Sequence, residues 1–234
     1  MSFNSGSFCS KDENFSYKLY NIFQKLFEFW GPQNWWPAET KFEMVVGAIL
    51  AQSTSWSSVE KAILNLKKAN ALTIEGILQT PDEVLANLIR PAGYYNQKAR
   101  RLKDFCNFLK NEFDSDLNKL FSLDIFELRK KLLSQKGIGF ETADSIILYG
   151  AQKPIFVVDA YTKRLFYRLG LIESEKIEYN QLQSIFMENL EPRTSLFNEF
   201  HALIVKHCKE ICRNKKPECK KCCLNEMCGA GTYK

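Results

Sequence analysis

Apolar residues return every three to four positions through most of the chain, the pattern of helices that bury one face. Phe15, Leu19, Ile22, Phe23, Leu26, Phe27 and Trp30 form one such stripe. Phe42, Val45, Val46, Ile49 and Leu50 form a second, over Lys41 to Leu50. The same spacing predicts helices over roughly 57–69, 81–89, 96–112, 124–133, 140–151, 160–169, 178–189 and 195–208. Strict alternation, which a half-buried strand needs, is scarce. The breaks "GPQNWWP", "TPDE", "RPAGYYN", "KGIG", "QKP" and "EPRT" carry the residues that end helices and make turns. There is no solenoid repeat and no low-complexity linker. The pattern predicts an all-α chain with short connections.

Composition narrows the setting. The 234 residues, 45% of them hydrophobic, suffice for one large domain or two small ones with a proper core. No apolar run reaches the roughly 18 residues of a membrane span, so no membrane partner is expected. The N-terminal "MSFNSGSFCSKDEN" lacks a basic-then-apolar leader, so export is not expected. A cytoplasmic monomer, nucleoid-associated if bacterial, is the expectation. The charge is unevenly placed. From Lys206 onward eight Lys/Arg face three Asp/Glu, which accounts for the whole net charge of +5. Six of the eight cysteines lie in that same stretch. A basic tail suggests a polyanionic partner, although a merely solvated terminus has the same composition.

The cysteines carry the strongest local signal. Cys212, Cys219, Cys222 and Cys228 are spaced C-x6-C-x2-C-x5-C. Four thiolates on such short loops can close around one metal centre at little entropic cost. Four cysteines suit a structural zinc as well as an iron–sulfur centre, and the spacing leaves both open. Disulfides fit less well in a chain without a leader. Cys223 falls outside the spacing and reads as a bystander. Cys208 reads as a core residue.

Three further stretches hold candidate chemistry. In "SQKGIGFETAD", Gly137 and Gly139 permit positive φ and a close backbone approach just before a helix. Unpaired N–H groups and the helix dipole suit a phosphate there, while an ordinary helix–helix turn would read similarly. Asp159 follows the apolar run Ile155–Val158 and precedes a helix, the position of an N-cap. In "NWWPAETKFEMVVGAILAQSTSW", Trp35 and Trp36 are costly to expose and can cap a core.

In their order, over roughly residues 30–228, these motifs resemble the endonuclease III superfamily of helix–hairpin–helix DNA glycosylases. The "WWP" and "GYYNQKA" stretches are most similar to its 3-methyladenine DNA glycosylases. The resemblance implies a two-lobed all-α fold. A six-helix domain would span 33–153, and 1–32 with 154–234 would form the second, including the cysteine loop 212–228. Damaged double-stranded DNA would bind across the cleft, with Asp159 at its mouth. The resemblance makes Cys212, Cys219, Cys222 and Cys228 the ligands of a [4Fe-4S] cluster, with Lys215, Lys216, Lys220 and Lys221 facing phosphates. It makes Gly137 and Gly139 the phosphate-binding hairpin. Asp159 becomes the catalytic carboxylate that stabilises an oxocarbenium-like sugar and orients water.

Position 141 sets the type of chemistry the resemblance implies. Bifunctional members carry a lysine there, whose amine forms a Schiff base. Glu141 cannot, which implies a monofunctional enzyme without β-elimination; Lys136 is a substitute amine across the hairpin. The base would stack between Trp35 and Trp56, with Trp36 and Pro37 as wall and Glu43 a polar group able to face it. 3-Methyladenine in DNA is cationic, which an indole face attracts once the base is flipped. Gln52 and Tyr94 would fill the vacated stack, with Tyr95 beside the wedge. Asn96 and Lys98 would contact DNA, with Arg100, Arg101 and Lys103 as further candidates for phosphate. Two other readings remain: an endonuclease III-like glycosylase for oxidised pyrimidines with weak AP lyase activity, and a non-catalytic DNA-binding module with a structural metal. The "WWP" relatives need not all carry the cluster, whereas this chain has the cysteines.

Overall fold

The structure, a computed structural model, describes residues 13–230, so the readings on the N-terminal "MSFNSGSFCSKDEN" as far as residue 12 and on Lys234 lie outside the described residues. All regular structure among the described residues is helical. In chain order the helices are α1 (Glu13–Trp30), α2 (Lys41–Leu50), α3 (Trp56–Lys68), α4 (Ile74–Gln79), α5 (Asp82–Leu88) and α6 (Tyr95–Phe113). Then follow α7 (Leu117–Ser122), α8 (Ile125–Leu133), α9 (Phe140–Ser145), α10 (Ala160–Arg168), α11 (Tyr179–Asn189) and α12 (Thr194–Glu210). α9 runs on as a π-helical turn, Ile146–Gly150. The helices predicted from periodicity are all present within a few residues. α4 and α7 are additional. At six residues each they are too short to display a period, and their signal was in their caps. The Thr73 hydroxyl accepts from the Gly76 amide, and the Asp116 carboxylate from the Asn118 amide. No described helix is long and apolar enough to cross a membrane.

The chain divides into two units, Asn34–Val157 and the N-terminal segment to Gln33 joined with Val158 onward. In the first, α2 is the central helix and is buried from Glu43 to Leu50. The Thr40 side chain caps it. α3, α6 and the π-helical turn pack around it, and α4 and α5 pack on α6. In the second, α1 packs on α11 and α12, and α10 packs on α12. Leu19, Ile22 and Leu26 of α1 are fully buried, while Phe27 remains exposed, so its buried face is narrower than the sequence stripe. Phe166, Phe186 and Phe200 interlock in the core, with centroids 4.7 Å and 5.9 Å apart.

Candidate active site

The hairpin is the turn between α8 and α9. Gly137 has φ +85°, a conformation that a Cβ disfavours. A Cβ there would also collide with the Arg101 side chain, 2.8 Å from its Cδ. Gly139 corrects the expectation made for it, because its φ of −93° is open to any residue. Its contribution is the lack of a side chain: as N-cap of α9 it offers no capping bond to the first amides. Ile138 anchors the turn by burial. Beneath it Arg129 makes a two-pronged ion pair with the fully buried Asp144, at 2.7 and 3.0 Å, tying α8 to α9. The Arg129 guanidinium also lies 5.0 Å from the Phe140 ring centroid.

Gln52 joins this turn from the end of α2. Its amide donates to the Gly137 carbonyl and to the Thr142 hydroxyl, both at 2.9 Å. Arg101 in turn donates to the Gln52 amide oxygen. Glu141 is exposed in the first turn of α9, where its charge complements the helix dipole. Lys136 instead lines a polar cavity with Asn96, Gln97, Arg100, Arg101, Asp104 and Gly137. Tyr94 projects from the loop before α6, 67% exposed. Its φ of +47° is unusual for a residue with a Cβ and costs about 1–2 kcal/mol. Lys98 corrects its expected phosphate role. It is 1% exposed, and its ammonium donates to the Leu50 and Ala92 carbonyls at 2.9 and 2.7 Å. It holds the end of α2 to the Tyr94 loop, and burial lowers its pKa.

Three indoles gather at the start of α2 and α3. Ring centroids are 5.6 Å apart for Trp35–Trp36, 5.8 Å for Trp35–Trp56 and 4.8 Å for Trp36–Trp56. Gly47 makes room for two of them: a Cβ there would sit 3.5 Å from Trp36 and 3.7 Å from Trp56. Tyr149, which the sequence reading missed, backs Trp36 at 5.2 Å. A base sandwiched between two rings needs them about 7 Å apart, two contact layers of roughly 3.5 Å. Trp35 and Trp56 are closer than that and tilted by 48°, so they must part to admit one. Pro37 is exposed. The Glu43 carboxylate, near the start of α2, is engaged by Lys67 at 3.0 Å.

Asp159 caps α10. One carboxylate oxygen accepts from the Thr162 amide at 2.7 Å and the Thr162 hydroxyl at 2.9 Å. The other lies 3.5 Å from Nε2 of the buried His201 on α12. Burial alone pushes the carboxyl up, but His201 and Thr162 outweigh it and hold it below its ordinary 3.8. His201 was not legible in the sequence, because nothing local links positions 159 and 201.

The far end of α10 holds the cysteine loop. Arg164 donates to the Cys212 and Cys208 carbonyls, and Arg168 to the Cys212 sulfur at 3.3 Å and the Arg213 carbonyl at 2.8 Å. Cys212, Cys219, Cys222 and Cys228 line one cavity of about 130 Å³ with Arg168, Leu165 and Leu224. Cys223 is not part of that lining, and Cys208 is buried beside it. Hydrogen bonds from the Cys208 thiol and from Arg168 lower the pKa of the Cys212 thiol. Among the described residues no three His, Cys, Asp or Glu side chains converge where a single ion would sit. Lys215, Lys216, Lys220 and Lys221 are exposed, and Lys221 pairs with Glu218 at 2.6 Å.

The family described as HhH-GPD superfamily base excision DNA repair protein matches residues 46–192, a span holding both the hairpin and Asp159. A candidate DNA repair glycosylase of Methanocaldococcus jannaschii is 48% identical over 217 residues, 92% of this chain and 98% of its own. Endonuclease III of Sulfolobus acidocaldarius is 30% identical over 193 residues, 80% of this chain and 83% of its own. Among solved structures, the H. pylori 3-methyladenine DNA glycosylase MagIII bound to 1,N6-ethenoadenine superposes with a TM-score of 0.70. It is 30% identical and covers 86% of this chain and 98% of its own. Endonuclease III in a non-covalent DNA complex shares the fold, with a TM-score of 0.80 at 20% identity over 93% and 96% of the two chains.

Proposed function

The chain belongs to the HhH-GPD superfamily of base excision DNA repair proteins, and on that premise we propose that it is a monofunctional DNA glycosylase for alkylated purines such as 3-methyladenine. The observation that carries this reading is the group of three indoles at Trp35, Trp36 and Trp56. Electron-rich faces favour a cationic base, and Glu43, the nearby acid, is taken by Lys67. The 30% identity to a 3-methyladenine glycosylase solved with a modified adenine supports the same substrate class.

The chemistry follows from charge. 3-Methyladenine in DNA already carries a positive charge, so the glycosidic electron pair leaves with a base that departs neutral. The sugar becomes cationic and is trapped by water, whose proton is released. Asp159, held ionised, stabilises that sugar cation and orients the water. Glu141 supplies no amine, so no imine forms and the strand stays whole. The head of α9, to which Gly139 gives no side-chain cap, grips a phosphate, and the exposed Tyr94 fills the vacated stack, joined by Gln52 once its bonds to Gly137, Thr142 and Arg101 open. The four cysteines around one cavity, backed by Arg168, suit the [4Fe-4S] cluster that the endonuclease III resemblance implies, which Cys212, Cys219, Cys222 and Cys228 would hold. With the cluster bound, the loop carrying Lys215, Lys216 and Lys220 would be tied to α10 through the cysteines that line the cavity beside Arg168.

The Sulfolobus endonuclease III relative favours a second reading, a glycosylase of the endonuclease III type acting on oxidised pyrimidines. Base release from a panel of damaged duplexes separates the two. Free 3-methyladenine from methylated DNA is expected. Release of oxidised pyrimidines alone would overturn the first reading.

A further inference from the structure

α1 ends at Trp30, and the Trp30 indole N–H donates to Nδ1 of His207, 3.2 Å away. An indole nitrogen can only donate, so Nδ1 of His207 must accept, and the proton of the neutral ring is placed on Nε2. That nitrogen lies 3.3 Å from the Cys222 sulfur. His207 is fully buried, so no water competes for the contact. Its carbonyl also accepts the Cys212 amide at 2.9 Å, which fixes the ring relative to the start of the cysteine loop.

We propose that His207 is a tuning residue of the [4Fe-4S] cluster, an inference that rests on the cluster reading given above: its Nε2–H donates to the Cys222 thiolate, and Trp30 sets the tautomer that makes this possible. An N–H directed at a thiolate draws electron density from the sulfur. It thereby favours the more electron-rich state of the iron and raises the reduction potential. Arg168 addresses the Cys212 sulfur similarly, so two of the four ligands receive N–H donors from the folded chain. The donors come from α10 and α12, and Trp30 brings in α1. The cluster's electronic state is thus tied to the packing of the whole helical unit rather than to the loop alone.

The test is the reduction potential of the iron-loaded full-length protein by protein-film voltammetry, after metal analysis. His207→Leu is expected to shift the potential to a more negative value. His207→Gln, which keeps an N–H of similar reach, restores most of it. Trp30→Phe is expected to give a smaller shift in the same direction, because His207 is then released to either tautomer. Unchanged potentials in His207→Leu and Trp30→Phe at full iron content would overturn the proposal. If His207→Leu does not load iron, Trp30→Phe decides by the same criterion. Zinc instead of iron in the parent protein removes the cluster reading and the proposal with it. That failure is visible in the metal analysis before any potential is measured.

Discussion

Two helices of this chain begin in opposite ways. α9 starts at Gly139, which has no side chain to give its first amides. α10 starts at Asp159, whose carboxylate takes the Thr162 amide and hydroxyl. The same helix-end physics yields two tools. An uncapped terminus leaves its positive end open to an anion from outside, whereas a capped terminus holds an anion of its own in a fixed place. The first suits gripping a phosphate, and the second suits facing a developing cation. The supporting residues differ accordingly. The hairpin is braced by an internal ion pair, Arg129–Asp144, while Asp159 is braced by His201.

Asp159→Asn separates capping from charge most sharply. Asparagine caps a helix about as well as aspartate, so α10 and DNA binding are expected to persist. Base release should fall by about 10²–10³-fold or more, since the charge is lost while the cap stays. Retained release in a single-turnover assay would leave Asp159 as a cap only. The same residue predicts an acid limb. Because the folded protein holds the carboxyl below 3.8, its contribution to stability is complete above that pH and fades as pH falls through the lowered value. Thermal melts against pH should show this limb in the parent and a flatter one in Asp159→Asn.

Next in size is Arg129→Ala. It leaves Asp144 buried without the guanidinium and is expected to cost about 3–5 kcal/mol in denaturant unfolding. A cost below about 1 kcal/mol would mean that the hairpin stands without its brace. Smaller again is Gly137→Ala. The positive φ costs about 1 kcal/mol or more, and the Cβ displaces Arg101. DNA affinity is expected to fall roughly ten-fold at constant salt, the equivalent of about 1.4 kcal/mol. Unchanged affinity would detach the hairpin from phosphate binding.

Most helices were legible in the sequence because burial of one face imprints a period. α4 and α7 were not, being shorter than two turns. The site was legible in part. Asp159, the glycine turn and the cysteine spacing are local and carry a recognisable order. The residues that support them are not local: His201 for Asp159, Arg129 for Asp144, Arg101 for Gln52 and Trp30 for His207 meet only in the folded chain. Lys98 shows the reverse error. It reads as one more basic residue beside Arg100 and Arg101, yet its helical position turns it inward onto two carbonyls. Gly139 likewise reads as a twin of Gly137, although only Gly137 uses the left-handed region.

Treating methylated duplex with the enzyme in the presence of borohydride separates simple base release from an imine-forming lyase. Free 3-methyladenine, an intact abasic strand and no covalent protein–DNA adduct are expected if Asp159 acts as a carboxylate and Glu141 offers no amine. A trapped adduct with strand scission would contradict the monofunctional reading.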